Sequence, residues 1–143
     1  MKKYEFTGET INFMGRTLHR IKACRDFGSA KAGDIGGFIE KEENLSHCGN
    51  AWVFEDAKVF EDALIKDPLD YFVIGPIGSR GDFTTFYKTT TGIGVVCGCF
   101  KGSIEEFEDA VKKTHGDNEH AQDYRMVICI AKNRLRKDDA TND

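Results

Sequence analysis

The chain has 143 residues, 40% of them hydrophobic and 11% aromatic, which fits one compact domain or two very small ones and excludes a disordered chain. Its net charge of -4 excludes a protein that coats long nucleic acid, since that role leaves a strongly basic footprint, but not a pocket for one small anion. No apolar run has the length of a membrane span, no hydrophobic stretch follows Lys2 and Lys3, and five cysteines without framework spacing fit a reducing cytosol.

Residues 3–23 read as short strands. Tyr4 and Phe6 alternate with polar residues, Gly8-Glu9 reads as a turn, Ile11 and Phe13 alternate again, and Gly15 breaks the run before Thr17 to Ala23. Residues 28–37, with four glycines, read as a turn-rich loop. From Ile39 a six-residue step begins, through Leu45, Ala51, Ala57 and Ala63. Its clean part is Gly49-Asn50-Ala51-Trp52-Val53-Phe54, then Glu55-Asp56-Ala57-Lys58-Val59-Phe60, then Glu61-Asp62-Ala63-Leu64-Ile65-Lys66.

A period of six does not match a helix, and the β-branched residues favour strands. A left-handed β-helix does use about six residues per flat side, so three hexads close one triangular coil. Val53, Val59 and Ile65 then fill the interior, Ala51, Ala57 and Ala63 sit near corners, and Asn50, Asp56 and Asp62 suit the turns. The competing reading is an ordinary meander with coincidental spacing. One coil cannot bury its own ends, so a homo-oligomer, dimer or higher, is expected.

Pro68 punctuates the end of the repeat. Tyr71 to Ile74, Phe83 to Thr89 and Ile93 to Cys97 then read as an antiparallel meander, with a glycine-rich loop at 75–82. Ser103 with Glu106 is a capping-box signature, and Ile104, Phe107, Ala110 and Val111 give a helical stripe. His115 to Asn118 stops that helix and caps the next, where Ala121, Tyr124, Ile128, Ala131 and Leu135 recur. The expected fold is mainly β with α: a short left-handed β-helix-like part over 1–66, a small antiparallel sheet packed with two helices over 67–137, and a disordered tail over 138–143.

The candidate ligand-binding residues are Gly78, Ser79, Arg80, Phe83, Thr84, Thr85, Phe86 and Arg125. A loop of this kind can aim backbone N–H groups at an anion, with Arg80 against a phosphate. It is not a P-loop, because the Gly-Lys-Ser/Thr ending is absent and a strand follows. An ordinary turn that needs glycine for its backbone angles is the competing reading. Phe83 and Tyr87 lie on one strand face and Phe86 on the other, so one aromatic set is core while the other is exposed or stacks on a base, unless both faces are buried. Arg125, next to Tyr124, is either a solvated helix residue or one that reaches the strand pocket. Cys97, Cys99, His115 and His120 match no standard zinc spacing, so no metal is expected. No nucleophile–base pair or paired carboxylates stand out, which points away from an enzyme and from any cofactor.

The stretch from Leu18 to Ala23, then Asp34-Ile35-Gly36-Gly37-Phe38-Ile39 to Ser46, then Gly49-Asn50-Ala51-Trp52-Val53, resembles the entry to phage and bacterial hexapeptide-repeat proteins. With Gly75-Pro76-Ile77-Gly78-Ser79-Arg80 and Asp82-Phe83-Thr84-Thr85-Phe86 behind one complete coil, the chain over about 4–136 is most similar to the first-described family of phage Thoeris anti-defence proteins. That resemblance implies a sponge in the host cytoplasm that sequesters a cyclic ADP-ribose isomer, or cyclic oligonucleotides, without cleaving it. The alternatives are a hexapeptide-type acyltransferase, for which His47 is the histidine at the repeat's edge, and a structural phage oligomerisation protein.

Overall fold

A computed structural model describes residues 2–53, 57–61, 63–79, 81–98 and 100–135, with the backbone alone at Asp82. The expectations for Phe54, Asp56, Asp62, Arg80, Cys99 and the 138–143 tail lie outside the described residues. The architecture is mixed α/β, with two four-stranded sheets and two helices. The chain forms two compact units, Met1–Asp70 and Tyr71–Asp143.

In the first unit, β1 (Tyr4–Phe13) and β2 (Arg16–Ala23) form an antiparallel hairpin. Met14 and Gly15 both have positive φ at its tip, the pattern a two-residue hairpin turn demands. The expected turn at Gly8-Glu9 is instead a bulge inside β1, where the register slips between Phe6 and Thr10. β3 (Ile35–Ile39) adds antiparallel to β2, so Gly36 and Gly37 lie in a strand and not in the expected loop. Close packing explains Gly36: a Cβ there would meet the Trp52 ring and the Val53 carbonyl, each at 2.6 Å.

β4 (Lys58–Val59) completes this sheet, in the order β1-β2-β3-β4, and pairs parallel to β3. Phe38 faces Lys58, Ile39 faces Val59, and an isolated parallel bridge joins Leu45 to Ile65. Every one of these partners lies the same distance along the chain. Gly37 N–H donates to Val53 O at 2.7 Å, Phe38 N–H to Ala57 O at 2.9 Å and Ser46 N–H to Ile65 O at 2.8 Å, extending the parallel contact. Val53, Val59 and Ile65 are fully buried, and Ala51, Ala57 and Ala63 nearly so. No closed solenoid is formed by the described residues. Trp52 and Phe60, outward positions of the hexads, are also buried, Trp52 edge-on to Phe27 and Phe60 edge-on to Phe13.

Asn44 joins the two layers of this ladder. It is fully buried, and its Oδ1 accepts from the N–H groups of Glu40 and Lys41 while its Nδ2 donates to the carbonyls of Glu61 and Ala63. Glu61 has a φ of 58°, a conformation that disfavours side chains. It is held from both sides, because its N–H donates to Glu40 Oε1 at 2.9 Å. Burial opposes ionisation of Glu40, but this N–H and the Arg16 guanidinium outweigh it and hold the carboxyl below its usual range.

The N-terminus is tied to the same layers. Lys3 is fully buried, its Nζ donates to Ala51 O at 2.7 Å, and it lies 4.8 Å from the Phe27 ring centroid. Burial, then the neighbouring Arg25 charge, lowers its pKa to about 8. The Tyr4 hydroxyl donates to Leu45 O at 2.6 Å, and burial followed by Glu42 and Glu43 raises its pKa.

In the second unit, β5 (Tyr71–Ile77), β6 (Asp82–Lys88), β7 (Ile93–Cys97) and β8 (Phe100–Ser103) form an antiparallel sheet in sequence order. The fourth strand goes beyond the three that the hydrophobic pattern suggests, because β8 is short and leads directly into a helix. α1 (Ile104–His115) opens on the expected capping box: Ser103 Oγ accepts from Glu106 N–H at 3.1 Å and Glu106 Oε1 from Ser103 N–H at 2.9 Å. Asn118 Oδ1 accepts from Ala121 N–H at the start of α2 (Glu119–Leu135). Both helices pack on the face carrying Phe86, Ile93 and Val95, around Phe107, Tyr124 and Ile128.

Two predictions follow from the first unit's buried polar groups. Asn44→Ala removes the four hydrogen bonds of a fully buried side chain and should lower urea-unfolding stability by roughly 2–4 kcal/mol; a loss under about 0.5 kcal/mol would show that the amide fastens nothing. Between pH 8 and pH 10.5 the unfolded chain holds a Lys3 proton that the folded chain has released. Stability relative to Lys3→Met should therefore rise with pH across that window, by on the order of 1–3 kcal/mol. Unfolding at pH 7.5 and 9.5 measures it, below the range where Tyr4 acts in the opposite sense.

Candidate ligand site

The expected loop at 75–82 is tighter than its glycines suggest. β5 runs on through Pro76 to Ile77, which pairs with Asp82, and the register slips between Ile74 and Ile77. What remains is a turn over 78–81, closed by Gly81 N–H donating to Gly78 O at 3.2 Å. Gly78 has a φ of 83°, and a Cβ on it would overlap the Tyr124 hydroxyl. Glycine is thus required twice over, for the backbone angle and for the approach of α2.

Beneath the turn lies a small polar group. The Tyr124 hydroxyl donates to Ile77 O at 3.5 Å and lies 3.7 Å from Cys97 Sγ, which accepts from Thr84 Oγ1 at 3.1 Å. Periodicity marks Tyr124 as core but gives no signal for this contact, because its partner carbonyl is 47 residues away in sequence. His115 stacks on the Tyr124 ring, 6.0 Å between centroids.

The seven candidate residues that are described divide sharply by exposure. Ser79 is exposed at the turn, and Phe83 is exposed by 59%, a high value for so apolar a ring. Thr84 and Phe86 are fully buried and Thr85 is 5% exposed. Phe86 stacks on Phe72 at 5.1 Å and meets Phe107 edge-on at 6.0 Å, so its ring belongs to the core under the helices. Tyr87 is also buried, which separates it from Phe83 although both belong to the same alternation. Arg125 is half-exposed and engaged at the α1–α2 junction, with Nη2 3.1 Å from Asp117 Oδ1 and 3.5 Å from Gly116 O. The turn thus brings Gly78 and Ser79 near the start of the strand bearing Phe83. Arg80 lies outside the described residues.

His47 in the first unit has both ring nitrogens occupied. Its Nδ1 accepts from Lys3 N–H at 3.2 Å, its Nε2 is 2.7 Å from Glu42 Oε1, and its ring stacks on Tyr4 at 4.1 Å. The His47 contact comes first among the causes that lower the Glu42 pKa. A histidine so held orients a fold and has no nitrogen left for a substrate proton. Among the described residues no group of three His, Cys, Asp or Glu could hold a metal ion, and no helix is long and apolar enough to cross a membrane. No protein-family model and no curated protein matches the chain.

The burial contrast predicts opposite outcomes on one strand. Phe86→Ala should cost about 3–5 kcal/mol through the cavity it leaves. Phe83→Ala should change stability by less than about 0.5 kcal/mol. Chemical unfolding of both variants checks this, and a comparable loss in each would place Phe83 in the core.

Proposed function

We propose that this protein binds and sequesters a cyclic nucleotide signal, a cyclic ADP-ribose isomer or a cyclic oligonucleotide, without cleaving it. It would act as a phage anti-defence protein in the cytoplasm of the bacterial host. The observation that carries the reading is the exposed Phe83 ring next to the Gly78–Gly81 turn. A purine needs a flat apolar surface and its phosphates need fixed donors, and a contact of base with aromatic contributes roughly 1–3 kcal/mol. Gly78, Ser79 and, from the sequence, Arg80 supply the donor side. Thr84, Thr85 and Phe86 act as the scaffold behind Phe83. Arg125 joins the site only by leaving Asp117.

The ladder of the first unit supports a finer fold reading. Parallel partners twenty positions apart (38 to 58, 39 to 59, 45 to 65) come close to the roughly eighteen residues of a three-hexad coil. A short left-handed β-helix is therefore proposed here, and with it a homo-oligomer. The occupied nitrogens of His47 weigh against the acyltransferase alternative.

The test is to incubate the protein with a mixture of nucleotide signals, wash it, denature it and identify what is released. An unmodified cyclic nucleotide is expected; a converted product, or none, overturns the proposal. In calorimetry against a cyclic ADP-ribose isomer, Phe83→Ala and Arg80→Ala should each weaken binding at least tenfold, about 1.4 kcal/mol. Affinity like the wild type in both variants would move the ligand elsewhere.

A further inference from the structure

His47 lies beside the N-terminal residues of the first unit, and both of its ring nitrogens are used. Nδ1 lies 3.2 Å from the Lys3 backbone nitrogen, and Nε2 lies 2.7 Å from Glu42 Oε1. A backbone N–H only donates, so Nδ1 accepts and carries no proton there. A carboxylate only accepts, so the one ring N–H is on Nε2. The bond from His47 is the largest cause holding the Glu42 carboxyl below its usual range, which keeps Glu42 an anionic acceptor. The two contacts together select one tautomer of the ring.

A second proton has no free place on this ring. On Nδ1 it would set one N–H against the Lys3 N–H, donor against donor, and Lys3 is fully buried. The ring is held in its plane by Tyr4, stacked at 4.1 Å with 11° between the planes, and the Tyr4 hydroxyl is itself bonded to Leu45 O. The His47 backbone is held as well, because its carbonyl accepts from Arg25 Nη2 at 3.3 Å. The charges around the ring act in both directions. Glu42 and Glu43 draw a proton towards it, while Lys2, Lys3 and Arg25 oppose one. Solvent reaches the side chain, which is 30% exposed. We infer that His47 is a proton-operated latch on the N-terminus: its unprotonated Nδ1 holds the Lys3 amide, and proton uptake at that nitrogen releases it. The release is local, since Lys3 O still accepts from Cys24 N–H at 2.8 Å and Lys3 Nζ still donates to Ala51 O. The latch belongs to the first unit and does not depend on which ligand, if any, the protein takes.

Nitrogen-15 NMR on the full chain tests this. A coupling across the hydrogen bond, from the Lys3 amide nitrogen to His47 Nδ1, is expected at about pH 8 and should vanish by about pH 5, across the range in which imidazole changes charge. Over the same range the Lys3 amide should exchange at least about tenfold faster relative to its intrinsic rate, as one lost buried hydrogen bond implies. The Lys3 amide shift and the His47 ring shifts should share one midpoint. Glu42→Gln removes the anion that favours the proton, and should move both to lower pH together. The Leu18 amide, in the fully buried middle of β2, should keep its protection. No coupling at the upper pH, or a coupling that persists to the lower one, overturns the latch. So does a Glu42→Gln variant that shifts one midpoint without the other. Loss of the circular dichroism signal at the same pH would make the event global unfolding and overturns it too.

Discussion

A single buried carboxamide holds the first unit in register. Backbone amides in a buried ladder must find partners, and the two chain layers here share backbone bonds from Gly37 to Val53, Phe38 to Ala57, Glu40 to Val59 and Ser46 to Ile65. Asn44 adds to them, with two acceptor contacts to one layer and two donor contacts to the other. At that size only a carboxamide offers two N–H donors together with an oxygen that can accept twice. The positive φ of Glu61, its bond to Glu40 and the Arg16 ion pairs to both carboxylates lie beside that clamp. Lys3 and Tyr4 then bind the N-terminus to the carbonyls of Ala51 and Leu45, so the hairpin cannot slide along the ladder.

The second unit follows a different logic. Its sheet and helices share an ordinary apolar core, and one point of close fit is where Gly78 admits the Tyr124 hydroxyl. That contact fixes the turn below Ser79 without using the turn's own outward groups. A site for a small anion beside an aromatic ring needs this separation of support from contact, since donors that hold the scaffold are not available to a ligand. Phe86 and Phe83, three residues apart on one strand, are fully buried and exposed respectively.

The reading as a sponge rests on the exposure of Phe83 and on the chemistry of a nucleotide.

Three of the four strands and both helices of the second unit were legible in the sequence, because alternation and 3.6-residue spacing are local properties. The capping box at Ser103 and Glu106 was legible for the same reason. So was the burial of Val53, Val59 and Ile65, which a six-residue step alone demands. Tertiary structure decided the rest. Gly36 and Gly37 read as loop because glycine is a local breaker, yet the packing of Trp52 requires a strand without a Cβ there. Phe83, Phe86 and Tyr87 obey one alternation, but burial depends on what packs against each face, so only the fold separates the exposed ring from the two buried ones. Asn44 gives no pattern at all in sequence. Its four partners are spread over residues 40 to 63, and they meet only because the chain returns, twenty positions on, to lie beside itself.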